Sequence, residues 1–280
     1  MQTLTQAIPA THRSKLYLPR EHGATAMLLT PIAGVAILAR TWHWSELAVP
    51  LAAFAAMAAK DPAVLLVRQR FVWKQKSPDA ASATRWLAGW SAILIASIAV
   101  LLATWPLRAF LPVGAGVAAF GVLAVYVNLK NRQRSTLFQI VSAAALTSTS
   151  LATGIAATGS VSRWCWWFWL LTALEAAAGI LVVHARLDAR IALRKPAAAN
   201  RQFRRAAQVA LAVLLCAAAP AAILRHGLIA VALVLAAAAY AWDLKRQANP
   251  ASLQMPLKTV GQQALLLSSI YSLLLIAGLW

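Results

Sequence analysis

The sequence predicts an all-α polytopic membrane protein of about nine transmembrane helices, and three observations carry that prediction. Hydrophobic residues make up 61% of the 280 residues and charged residues only 12%, whereas soluble domains are about 45 to 50% apolar. The mean hydropathy is +0.68. The apolar residues fall into about nine runs, each near the ~20 residues that cross a hydrocarbon core about 30 Å thick, and Lys and Arg collect between alternate runs.

A formal net charge of +19 raises the question of nucleic acid. The basic residues, however, are scattered through membrane-flanking loops and form no nucleic-acid-binding motif, so the expected partner is the lipid bilayer. Cys165 and Cys216 lie in different apolar runs with no CxxC spacing, which suggests small packing residues and no thiolate metal site.

Residues 1–20 are polar, lack an apolar core followed by a small-residue cleavage site, and read as a cytoplasmic N-terminal tail ahead of a single transmembrane domain, 21–280. The first run, 22–39, contains Pro31 and Gly34, which membrane helices tolerate. The second, 46–70, carries Lys60 and Asp61 directly before Pro62. A Lys or Asp at the centre of a spanning helix costs about 2.5 to 3.5 kcal/mol, and Pro removes a backbone donor and biases the residue before it away from helical dihedrals. Two expectations follow: the helix stops at Ala59 with an interfacial cap, or it breaks beside the charges and forms part of a binding site.

The third and fourth runs, 86–105 and 109–128, share a very short connector. The fifth, 137–158, is rich in Ala, Ser, Thr and Gly and suits close helix packing with interhelical hydrogen bonds. The sixth, 164–183, opens with the cluster WCWWFW, as an interfacial belt does. The seventh, eighth and ninth cover 206–224, 228–242 and 260–279, and the eighth is short. With the N-terminus cytoplasmic, most Lys and Arg fall on the cytoplasmic side and only Arg40, Arg108, Arg163 and Arg225 on the other.

That topology gathers polar residues at one mouth: Glu21, His22, Lys60, Asp61, Asn128, Arg132, Gln139, His184, Arg186, Asp188, Asp243, Lys258 and Gln262. A cavity lined by cationic and amide groups suits an anionic headgroup with its apolar tail among the helices. Lys60, Asn128, Arg132, Gln139, Arg186 and Lys258 are the candidate substrate-binding residues. Asp61, His22 and Glu175 are the candidates for polarising a group or moving a proton.

Glu175 has about eleven residues of apolar helix on either side, and its short side chain cannot snorkel to the interface. Without a cationic partner it would serve as a neutral donor or a proton carrier. At 100° per residue Glu175, Gly179 and Arg186 share one face, with Glu175 and Arg186 about 16 Å apart along the axis. They cannot pair directly, but they could address the two ends of an elongated ligand.

Pro19-Arg20-Glu21-His22-Gly23-Ala24 resembles the PREHGA or PKEHGA opening of the YwiC-like family of bacterial integral membrane proteins. Lys60-Asp61-Pro62, the segment 175–186 and the segment 255–261 fall where that family has recurring polar features. The resemblance implies a multi-pass protein of the bacterial cytoplasmic (inner) membrane and supplies no reaction.

The nine-span layout is also similar to that of the UbiA superfamily of intramembrane prenyltransferases, which place aspartate motifs after the second and sixth spans. The positions here are Lys60-Asp61 and residues 184–188. The superfamily pattern NDxxDxxxD followed by DxxxD is absent, leaving Asp61 and Asp188 as isolated acids. The resemblance implies magnesium, which no complete aspartate motif supports.

Two functional classes therefore stand. One is a divergent enzyme that binds an isoprenoid or other lipid-like substrate with an anionic head. The other is a transporter or non-catalytic membrane binder of an anionic or amphipathic ligand, with Glu175 and His22 as gate or relay.

Overall fold

The computed structural model describes residues 22–75, 78–130, 135–195 and 202–280, and within them the secondary structure is helical, with no strand. The principal helices are α1 (His22–Ala39), α2 (Ala48–Arg68), α3 (Ala80–Thr104), α4 (Leu107–Leu129), α5 (Thr136–Thr147), α6 (Thr149–Thr158), α7 (Arg163–Arg194), α8 (Gln202–Ile223), α9 (Gly227–Arg246), the single turn α10 (Pro250–Leu253) and α11 (Leu257–Leu279). Eight helical segments are long and apolar enough to cross a membrane, α5 and α6 counting together as Thr136–Thr158. The apolar part of α1, Gly23–Ala39, is shorter. The protein is an all-α polytopic membrane protein.

Successive spans alternate in direction, so each end of the bundle is tied by its own contacts. At one end the Arg40 guanidinium lies 4.2 Å over the Trp280 ring and donates to the Trp280 carbonyl. Ser45 Oγ and Trp105 Nε1 both donate to the Ala156 carbonyl there, at 2.8 and 3.0 Å. At the other end Arg68 donates to the carbonyl of Asn128 at 2.5 Å, and Arg190 to that of Met255. We call these the tryptophan end and the basic end.

The structure corrects both expectations for residues 60–62. α2 neither stops at Ala59 nor breaks at Pro62; it runs on to Arg68 and continues as a π-helical turn, Gln69–Trp73. The physical reason is that Pro removes one ladder hydrogen bond, whereas opening the helix inside a bilayer would strip several backbone groups of partners with no water to replace them. Pro62 is also fully buried, so packing holds it. The chain turns out of the helix only at Lys74, which has φ 53°.

The fifth span divides at Ser148 into α5 and α6. Hydroxyls of Thr147, Ser148, Ser150 and Thr153 bond back to carbonyls three or four residues earlier, a pattern that bends helices. Thr149 Oγ1 crosses to the Leu28 carbonyl of α1 at 3.0 Å. Gly154 lets α6 approach α7 closely, since a Cβ there would stand 2.4 Å from Cys165 Sγ.

α1 and α6 contribute to both hydrophobic cores. Val35, Leu38 and Leu151 join residues of α7, α8, α9 and α11 in the larger one, and Leu28, Ile32 and Ala156 join Ala48, Val49 and Leu101 of α2 and α3 in the smaller. α3 packs along α2, and α4 against α2, α5 and α6. Both present largely exposed apolar surface, which a membrane protein turns to lipid. The WCWWFW cluster splits accordingly: Cys165 and Phe168 are buried, while Trp166 and Trp167 are exposed as a belt requires. Cys216 is exposed, so of the two cysteines only Cys165 packs inside the chain.

Candidate functional site: a polar seam between α7, α9 and α11

α7 and α9 run parallel, and two contacts keep one register: Glu175 with Tyr240 and Val182 with Gln247 are each separated by 65 residues; past the end of α9, Arg190 of α7 donates to the Met255 carbonyl between α10 and α11. The α7 residues recur at helical spacing, and so do Tyr240, Asp243 and Gln247 on α9. The result is a line of polar contacts from mid-membrane depth to the basic end.

Glu175 lies at the deep end and is 4% exposed. Tyr240 Oη donates to its Oε1 at 2.6 Å, and Ser268 Oγ of α11 donates to its Oε2 at 3.0 Å. Tyr271, also on α11, donates to the Leu171 carbonyl one turn earlier at 3.0 Å. Gly179 makes the arrangement possible, because a Cβ there would stand 2.7 Å from Tyr240 Oη. Among the described residues no Lys, Arg or His forms an ion pair with Glu175.

Arg186 lies nearer the basic end and is 1% exposed. It forms a salt bridge with Asp243 and donates to the Ser252 carbonyl at 3.0 Å. Gln247 Nε2 donates to Asp243 Oδ2 at 3.0 Å and to the Val182 carbonyl at 3.2 Å, completing the acid's partners. Arg186 thus holds α9 and the α10 segment against α7. The face shared by Glu175, Gly179 and Arg186 meets α9, where Tyr240 donates to Glu175 and Asp243 pairs with Arg186.

The other candidates are dispersed. Gln139 Oε1 accepts from His184 Nε2 at 3.0 Å, joining α5 to α7, and the His184 ring lies 5.1 Å from that of Phe203 of α8, tilted by 31°. Asn128 Nδ2 donates to the Ala124 carbonyl of its own helix at 2.9 Å. Lys60 is half-buried and Asp61 exposed on α2, and Lys258 is exposed in the first turn of α11. Arg132 lies outside the described residues, as does the side chain of His22, the first residue of α1.

The donor set does not fit a magnesium site of the UbiA kind. Among the described residues no group of three or more His, Cys, Asp or Glu could hold a metal ion, and Asp61 on α2 and Asp188 on α7 belong to helices that do not pack closely against each other. Two separated single carboxylates cannot bridge a diphosphate through a metal pair.

Residues 18–153 match the family model YwiC-like protein. Over that stretch the chain is YwiC-like. The matched region is just under half of the chain and ends inside α6; it contains the Pro19 to Ala24 motif, Lys60-Asp61-Pro62, Asn128 and Gln139. Glu175, Arg186 and the whole α7–α9–α11 seam lie beyond the YwiC-like region. No curated protein and no solved structure matches the chain.

Sequence reasoning reached Glu175, Arg186 and Asp243 but not Tyr240, Gln247, Ser268 or Tyr271. The spacing of Tyr240, Asp243 and Gln247 on one face of α9 was the available signal. Tyr271 offered a weaker signal, since a phenol in an apolar helix must find its partner on another element; Ser268 gives none in sequence, because a serine hydroxyl there usually satisfies itself on its own backbone.

Proposed function

We propose that the protein is a proton-linked membrane transporter of an anionic or amphipathic solute, with Glu175 as the proton-carrying group. The observation that supports this reading is the pairing of a mid-span carboxyl with two hydroxyls and, among the described residues, no cation. Tyr and Ser hydroxyls both donate and accept, so a carboxyl held by them can take up or release a proton while keeping both contacts. A carboxylate fixed to a guanidinium, as Asp243 is, cannot do so without stranding a buried charge. Intramembrane acids of the first kind mark proton relays in pumps and transporters.

In this reading residues 21–280 form one membrane domain in the bacterial inner membrane, with the N-terminus and the basic end in the cytoplasm, as the distribution of Lys and Arg favours. Solute would enter at the basic end, where Lys60, Asn128, Arg132, Gln139 and Lys258 offer cations and amides to an anionic head. Arg186 is spent on Asp243 and orients the seam.

The test uses purified protein in sealed vesicles with a trapped pH indicator and an imposed gradient of organic anions or prenyl diphosphates. Solute-driven proton movement should appear and should be lost in Glu175→Gln, which keeps the fold because an amide still meets both hydroxyls. Equal proton movement in that variant would remove Glu175 from the role.

One observation favours the second reading, a divergent UbiA-like enzyme acting on an isoprenoid substrate. Asp61 is exposed although it lies seven residues, about 10 Å, before Arg68 on α2. A carboxylate at that depth needs water or a polar ligand beside it. Chemical turnover of a prenyl diphosphate that is lost in Asp61→Asn, without solute transport, would establish this reading over the first.

A further inference from the structure

We infer that the end of α2, residues 70–74, is a docking site for the headgroup of an anionic phospholipid. The helical segment Trp44–Trp73 has 30 residues and at 1.5 Å per residue is about 45 Å long. That exceeds the hydrocarbon core of about 30 Å and matches the bilayer with its headgroup layers, about 40 to 45 Å. With Trp44 in the interface at the tryptophan end, residues 70–74 fall in the opposite headgroup layer.

The residues there suit that layer in composition and exposure. Phe71, Val72 and Trp73 are 68%, 55% and 48% exposed, and Arg70 and Lys74 on either side of them are exposed too. Three consecutive side chains fan over about half of a helix circumference, and all three are exposed. The π-helical turn widens the last turn of α2, and Lys74 at φ 53° ends it. Arg70 lies 5.8 Å from the Phe71 ring centroid, an aromatic-supported cation. Among the described residues no Asp or Glu forms an ion pair with Arg70 or Lys74.

Aromatic residues at headgroup depth flanked by two cations provide both parts of an anionic-lipid site: rings for the acyl boundary and charge for the phosphate. The general positive bias of the loops draws the basic end towards any anionic surface. Residues 70–74 add apolar anchors at the same position, which makes the site local. The proposal is independent of what the α7–α9–α11 seam does.

The experiment titrates full-length protein in neutral detergent with phosphatidylglycerol or phosphatidylcholine, reading bound lipid by native mass spectrometry. Phosphatidylglycerol should bind in preference, and R70Q/K74Q should weaken its apparent affinity about 30-fold, the loss expected for two basic residues near an anionic surface. R70K/K74R should retain binding, and R108Q at the tryptophan end should leave it unchanged. Equal affinity for both lipids, undiminished binding in R70Q/K74Q, lost binding in R70K/K74R or an equal loss in R108Q would overturn the site. So would a dimer that F71A/W73A dissociates in phosphatidylcholine, which would make the surface a contact between two copies of the chain.

Discussion

Tyr240 donates to Glu175 across 2.6 Å because the residue one turn beyond the acid is Gly179, whose missing side chain leaves the phenol its place. The buried carboxyl and the glycine act as one feature, a notch and the group it exposes. Gly114 on α4 has nothing within 4 Å of an added Cβ. The two glycines therefore answer the same substitution differently.

Gly179→Ala should destabilise the protein by about 1 to 3 kcal/mol, the usual cost of overpacking a well-filled site. Gly114→Ala should be neutral or stabilising by up to about 1 kcal/mol, since Ala is the better helix former. Denaturant unfolding in detergent compares them, and an equal loss in both would mean that the Tyr240 notch is not tight.

Removing the donors to Glu175 tests the carboxyl more directly. Tyr240→Phe leaves Oε1 without its hydroxyl, and a buried group stripped of a partner costs about 1 to 3 kcal/mol. Combining it with Glu175→Leu should cost less than the sum of the two single changes. Strict additivity in that double-mutant cycle would show that the two groups are not coupled.

The Arg186–Asp243 pair predicts a larger asymmetry. Asp243→Leu leaves Arg186, whose side chain is 1% exposed, without its anion, and stranding such a buried charge costs about 3 to 5 kcal/mol. Replacing both, as Arg186→Met with Asp243→Leu, should recover most of that loss. The readout is again unfolding in detergent; a double variant as weak as the single one would mean that the Ser252 and Gln247 contacts, and not the charge pair, hold α9 to α7.

Pro62 lies inside a continuous α2. Pro62→Ala should restore a ladder hydrogen bond and keep or raise the melting temperature, provided the buried proline leaves no large void. A melting temperature lowered by more than about 4 °C, the upper end of the shift that a loss of about 1 kcal/mol produces in a domain of roughly 150 to 250 residues, would show that the proline shapes the helix.

The sequence went furthest where physics is local. The run 206–224 is apolar but for Gln208, and α8 covers it as far as Ile223. Its reading of the eighth run as short fell short of the 20 residues of α9, because Asp243, Lys245 and Arg246 end the apolar stretch while the helix continues through them. Lys60-Asp61-Pro62 misled in the same way: it looked like an ending because charge and proline end helices in water, and a bilayer reverses that preference.

By itself the sequence determined that this chain spans a membrane as helices, which end carries the positive charge, and that Glu175 has no route out of the apolar phase. Each follows from composition counted against the fixed thickness and dielectric of the bilayer. Only the tertiary structure decided that Glu175 meets hydroxyls from 65 and 93 residues away and that Arg186 is committed to Asp243. Such pairings depend on the rotation and axial register of whole helices. Those are set by the packing of many small contacts at once, and hydropathy along a single chain carries no record of them.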